Sequence, residues 1–400
     1  MWTLLLTLAS AADLAPRADV ESLSGLPAPT AWEASDGSLG TPEGRDLAEA
    51  VDGGRLWLGV LGDSGHETAW LTRLDARGAP VWSRRYDAAV ALSPWQVVGA
   101  VDGGAWVIGA TPDARGDDVA VLRVDATGEP VSLRRLGADV GGKEQIRHAV
   151  RTADGGLLLT GDLTRGDDVR GLVIRLDAAG EVLWSTILDA DARARDGLSA
   201  GLEVDGGVVV VGRSKGEGAY PSEAGWVAQL DGSGAVVRSE LVVDLADDVR
   251  LSDVAVGADG LVLAGASAGS KPLVVWLDGD DVAGAALETS GRTVGLASDG
   301  SGLLWAASGA RWTAVGAGTL GATTTLHGGA RRWRAVGLAA AGLGADGTLV
   351  LATAGESAAV GSYAVELSLA PAPGEAVDAR LRVVDERVDV TVASLPRVGR

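Results

Sequence analysis

The chain has 400 residues, enough for one large core or two to three ordinary domains, and a formal charge of −20 from 34 Lys plus Arg against 54 Asp plus Glu. Such a charge opposes nonspecific attraction to nucleic acid or to an anionic membrane surface. The absence of Cys excludes disulfides, thiolate nucleophiles, Cys-ligated zinc and iron–sulfur clusters, while 59 Gly and 13 Trp beside 3 Tyr and no Phe suggest that something repeated consumes glycine and indole.

The chain opens with a short apolar run, Trp2 to Ala12, and Ala9-Ser10-Ala11 supplies a small-residue cleavage pattern. Residues 1–11 are expected to be a signal peptide and the product to be exported, periplasmic or extracellular; without that signal the chain would remain cytoplasmic. Residues 12–29, rich in Ala, Pro and Ser, are expected to be a flexible lead-in. No later stretch reaches the roughly 18 apolar residues of a spanning helix, so no integral membrane segment is expected.

From residue 51 onward an acidic-Gly turn followed by an apolar run recurs, as in VDGGRLWLGV, VDGGAWVIGA, ADGGLLLTGD and VDGGVVVVGR. The anchors are Asp52, Asp102, Asp154, Asp205, Asp259, Asp299 and Asp346, at a mean interval of 49 residues. In the early units a second apolar segment meets another Asp-Gly turn, as in AWLTRLDARGAPVWSRRY at 69–86 and GLVIRLDAAGEVLWSTIL at 171–188. A further segment precedes each anchor, beginning for example at Trp95 and at Ile146. Asp and Gly suit the local hydrogen bonds and positive φ of tight turns, so each unit is expected to be a four-stranded antiparallel meander.

Runs such as Leu157 to Leu159 and Val208 to Val211 are continuously apolar, which predicts strands buried on both faces between neighbouring sheets. A radial arrangement meets that demand. The expected fold is all-β, a seven-bladed β-propeller of four-stranded antiparallel meanders over residues 30–395, with an open solenoid as the alternative. Thr30 to Asp36 looks like the last strand of a unit and is expected to close the ring from the N-terminal side. Residues 380–394 are expected to complete the seventh blade or to add an edge strand.

The Asp-Gly-Gly turns, together with Leu-Asp-Ala-x-Gly followed by Trp at Leu74 to Trp82 and Leu176 to Trp184, resemble the bacterial propeller repeats of the quinoprotein-like superfamily. That superfamily includes an outer-membrane assembly scaffold and quinone-dependent alcohol dehydrogenases. The resemblance implies that Trp82 and Trp184 pack into interblade clefts, and that the units with Ser132 and Arg238 at this position pack less uniformly.

No catalytic, cofactor-binding or metal-binding residues are assigned, and no cofactor is expected. His66, His148 and His327 lie in widely separated units without a ligand pattern. The acidic stretches Arg115 to Asp118, Arg165 to Asp168 and Asp278 to Asp281 lack the calcium-loop spacing, and the two Arg-Gly-Asp tripeptides are expected at equivalent repeat positions. The Gly-rich segments match neither phosphate-loop nor dinucleotide-loop patterns. The expected function is a noncatalytic exported scaffold, a monomeric ring that binds a protein or a glycan through loops 62–68, 111–118, 162–170 and 213–224. The alternatives are a quinone- or metal-dependent periplasmic oxidoreductase and a carbohydrate-binding propeller.

Overall fold

A computed structural model describes residues 43–394 except for short segments between strands; residues 1–42, and with them the expected signal, lead-in and stretch 30–36, lie outside the described residues. All described elements are β-strands, and consecutive strands pair antiparallel into seven sheets. Sheet 1 shows the plan, with Glu43–Glu49, Arg55–Leu61, Thr68–Leu74 and Pro80–Ala88 paired in that order. Sheets 2 to 6 repeat it over 93–138, 143–189, 194–243, 249–287 and 295–325, and sheet 7 contains three described strands over 330–353.

The repeated turns follow from the side chains. In sheet 1 the Gly53 N–H donates to Ala50 O and the Ala50 N–H to Gly54 O, while Asp52 Oδ1 accepts from the Gly54 N–H at 3.0 Å. The same pattern recurs at Asp102 and Asp154. Because strand direction alternates, the turns joining strands one to two and three to four lie on one face of every sheet. This is the turn face. The hairpins joining strands two to three, and the connections between sheets, lie on the opposite, connection face.

The first strands touch in succession from sheet 1 to sheet 7, and the first strand of sheet 7 also touches that of sheet 1. Apolar side chains of successive sheets fill the layer between them: Leu58 and Leu71 pack with Val107 and Leu122, and Ile108 and Val121 with Leu159 and Ile174. Leu157 to Leu159 and Val208 to Val211 are buried throughout, as their unbroken apolar character requires.

Two sets of side chains tie each sheet to the next. Near the connection face the first strands of sheets 1 to 5 each carry a β-bulge, and the residue after it often reaches across. Asp46 accepts from the Val97 N–H, Gln96 Nε2 donates to Ala149 O, His148 Nδ1 accepts from the Gly201 N–H, and Asp253 accepts from the Leu296 N–H. His148 is thereby part of the interblade framework. His66 and His327 lie outside the described residues.

Near the turn face the ties come from a row of paired positions on strands two, three and four. The rows read Leu56-Arg73-Trp82, Trp106-Arg123-Ser132, Leu158-Arg175-Trp184, Val209-Gln229-Arg238 and Val262-Trp276-Ala283. In each, one long side chain reaches the three-to-four turn of the next sheet. Trp82 Nε1 donates to Ala126 O at 2.9 Å, Arg238 donates to Gly279 O, and Trp276 Nε1 donates to Gly316 O. The Trp106 and Trp184 rings lie so close to Gly180 and Gly234 that a Cβ there would come within 3.1 Å and 2.6 Å of them. Packing of Trp82 and Trp184 against the next blade matches the expectation. At Ser132 and Arg238, where less uniform packing was expected, the contact with the next sheet is made by other side chains than the fourth-strand indole: Trp106 of the second strand in sheet 2 and Arg238 itself in sheet 4.

Residues 380–394 follow the second of the two sequence expectations: they supply added edge strands, two of them, rather than completing the seventh sheet. Ser362–Val365 pairs with the fourth strand of sheet 5, Ser368–Pro371 with that of sheet 4, and Glu375–Ala376 with that of sheet 3. Val383–Val388 then pairs with sheet 2 and Val390–Ser394 with sheet 1. The tail therefore runs backward along five sheets, adding a fifth antiparallel strand to each. It supplies backbone partners to edges that would otherwise be open.

Candidate functional site

The turn face carries the surface features that distinguish one side of the protein from the other. Among the described residues the exposed large apolar side chains are Val51, Val81, Val101, Val131, Leu183, Val237 and Val256. All seven lie at the turn face. Val81, Val131, Leu183 and Val237 occupy equivalent positions in sheets 1 to 4, each the extra residue of a β-bulge at the start of the fourth strand. A bulge breaks the two-residue alternation, which is why an apolar residue next to the row of interblade ties points to solvent. Val51, Val101 and Val256 lie at the one-to-two turns, nearer the first strands.

Between these two arcs a cleft of about 870 Å³ opens across sheets 3, 4 and 5. Leu183, Trp184, Val204, Val256 and Leu261 supply its apolar wall, and Asp154, Glu203 and Asp205 its carboxylates. Arg175 is the cation lining it, bonded to Asp154 at 2.8 Å and to Glu203 at 3.5 Å. The Arg175 guanidinium holds the Asp154 carboxyl down at about 2, and the Gly156 N–H and Thr152 hydroxyl assist it against burial. The cleft lining thus carries three carboxylates against one guanidinium.

The same construction recurs beside the cleft. Arg73 pairs with Asp52 at 2.7 Å and Arg123 with Asp102 at 2.5 Å. Asp52 lies below the usual carboxylate range through its bond from Gly54, aided by Arg73. At Asp102 burial pushes upward, but Arg123 and the Gly104 N–H outweigh it and the net shift is downward. In both pairs the cation is 7% exposed while the carboxylates are 63% and 57% exposed. Arg123 also stacks over Trp106, 4.8 Å from the ring centroid.

On the connection face the order is mixed: Asp87 and Asp168 are exposed beside the less exposed Arg85 and Arg170, while elsewhere the carboxylate is the buried member. Glu223, 2% exposed, lies beneath Arg213 and Arg250, which are about half exposed. Asp162 is likewise covered by Arg147; burial pushes its carboxyl upward despite that partner.

Of the four segments expected to form binding loops, 111–118 and 162–170 are mostly strand: Thr111 pairs with Asp118, and Arg165 with Asp168. The two Arg-Gly-Asp tripeptides share a hairpin type but differ in register by two residues, since Asp113↔Gly116 occupies the place of Arg165↔Asp168. In the acidic stretches Asp117 pairs with Lys143, Asp118 with Arg135 and Asp168 with Arg170. Among the described residues no group of three or more His, Asp or Glu side chains is placed to hold a metal ion. The cleft was not marked by any linear motif; the repeated apolar residue just before the Trp position was its only trace in the sequence.

No family model matches the chain, and no curated protein matches it. Nineteen chains of solved structure do. BamB from Moraxella catarrhalis is 14% identical with a TM-score of 0.41, over 78% of this chain and 85% of that one. Sqt1 from Chaetomium thermophilum is 13% identical with a TM-score of 0.45, over 79% of this chain and 97% of that one. Both are distant matches over part of this chain.

Proposed function

We propose that the chain is a noncatalytic, exported protein-binding scaffold built as one closed, seven-bladed propeller. The observation that carries the binding role is the gathering of all seven described exposed large apolar side chains on the turn face, joined by an open cleft. Apolar surface concentrated on one side of a protein is what an interaction site requires. The rigid strands beneath it are committed to interblade packing, so the face can be held in shape without taking part in chemistry.

Ring closure is supported by the first strand of sheet 7 lying against that of sheet 1. The fourth strand of sheet 7 is assigned to residues 30–36, which precede Glu43 by a short connection and share the aromatic pattern of a fourth strand. Export is supported by the apolar run at Trp2 to Ala12 with its small-residue site.

The test is capture of a partner by the full chain from its native extract, with cross-linked positions mapped and native mass spectrometry of the purified protein. One protein cross-linked at defined positions, with no small-molecule mass retained, is the expected result. A stoichiometric quinone or metal whose removal abolishes a turnover would overturn the noncatalytic reading.

A further inference from the structure

We propose that the cleft across sheets 3, 4 and 5 docks an extended protein segment in which apolar side chains are interspersed with lysine or arginine. The proposal rests on the scaffold reading above and names the chemistry of its partner. Leu183 and Val256 stand exposed at opposite sides of the cleft, one on the fourth strand of sheet 3 and one on the first strand of sheet 5. A ligand that covers both must cross sheet 4, so it is elongated. Apolar side chains on it would remove both residues and the half-buried Trp184 from water.

Charge selects the rest of the ligand. Within the cleft Asp154, Glu203 and Asp205 outnumber Arg175, whose own guanidinium is buried beneath its carboxylates. Along the same face Asp52 and Asp102 also turn outward over buried arginines, and Glu181 does so over Arg134. A basic segment is drawn to this side, whereas an acidic segment, an anionic lipid surface or a nucleic acid meets repulsion there. Among the described residues the exposed large apolar side chains also lie only on this face.

The experiment uses the full chain and three fluorescein-labelled peptides of equal length, followed by anisotropy at low and moderate salt. One intersperses leucine with lysine, one leucine with glutamate, and one lysine with glycine. The leucine–lysine peptide is expected to bind at least about tenfold more tightly than either of the others, with affinity falling as salt rises. Leu183→Ser combined with Val256→Ser is expected to weaken it about tenfold, and Asp205→Asn to reduce its salt dependence. Lys215→Ser, on the connection face, is expected to leave it unchanged. Equal affinity for the three peptides, or unaltered binding by the double serine variant, would overturn the proposal. Should that variant fail to fold, the peptide comparison and Asp205→Asn decide the matter. Partner cross-links confined to the connection face would sink this docking site while leaving the scaffold reading intact; a retained cofactor with turnover would instead remove the scaffold reading.

Discussion

The rows of interblade ties make a quantitative exchange prediction. Sheets 1 and 3 place Leu on the second strand and Trp on the fourth, while sheet 2 places Trp106 on the second and Ser132 on the fourth, with Arg between them in all three. Trp106→Leu removes much of a fully buried indole and its stack with Arg123, which by comparison with Trp→Ala losses costs up to about 3 kcal/mol. The Trp106 Nε1 is buried without a hydrogen-bond partner, and deleting it returns about 1 kcal/mol, so the net cost is about 2 kcal/mol. Ser132→Trp adds an indole where Trp106 already fills the space and costs about 1–3 kcal/mol through overpacking. The double variant restores the Leu-Arg-Trp row of sheets 1 and 3, and its new indole N–H can donate to Ala178 O as Trp82 does to Ala126 O. It is expected within about 1 kcal/mol of the parent, which implies a coupling of about 3 kcal/mol. Guanidinium unfolding of the four proteins, followed by far-ultraviolet circular dichroism with matched slopes, measures this. A double variant as unstable as the sum of the singles would refute the exchange.

Three other outcomes follow from the geometry. Asp154 has a folded-state value of about 2 against an ordinary 3.8, so its contribution is present above about pH 4 and lost as pH falls toward 2. Since its side chain is half exposed, the shift is discounted for screening to about 1 kcal/mol, and Asp154→Asn should flatten that part of an acid stability profile; an unchanged slope would count against it. Gly180→Ala should cost clearly more than Gly206→Ala: both have φ near +83°, but a Cβ at Gly180 meets the Trp106 ring whereas one at Gly206 meets open space. Equal shifts in melting temperature would contradict this. Ending the chain before residue 362 uncovers the fourth-strand edges of sheets 1 to 5 and should produce self-association, seen by light scattering on a sizing column; a monodisperse monomer would argue that these edges need no cover.

The meander was legible because its determinants are local. Asp52, Gly53 and Gly54 satisfy a turn within five residues, and the same chemistry returns at Asp102 and Asp154. Burial of Val208 to Val211 could also be read directly, since an unbroken apolar strand has no face to give to water. The exchange of Trp106 for Trp82 was not legible, because it depends on cross-strand register among positions about 25 residues apart. The exposure of Leu183 and Val237 was hidden for a related reason: a bulge inverts the alternation by which an apolar residue would be placed inside. The edge strands at 383–394 were within reach of their alternation, but the earlier part of the tail escaped because strands as short as Glu375–Ala376 carry no period of their own and are defined only by the edges they meet.

The backward course of that tail places the first and last described strands in the same sheet, Glu43–Glu49 at one edge and Val390–Ser394 at the other. During synthesis the first sheet is the earliest to leave the ribosome, yet its final strand arrives only when nearly the whole chain has been made. A nascent chain stalled anywhere after the fourth strand of sheet 1 holds an unfinished sheet with an open edge, and the number of such edges grows with each sheet added until residue 362. Coverage then proceeds from sheet 5 to sheet 1, so the earliest-made sheet waits longest. The interval between translation of Ala88 and of Val390 is when this protein is most open to pairing with the wrong strand.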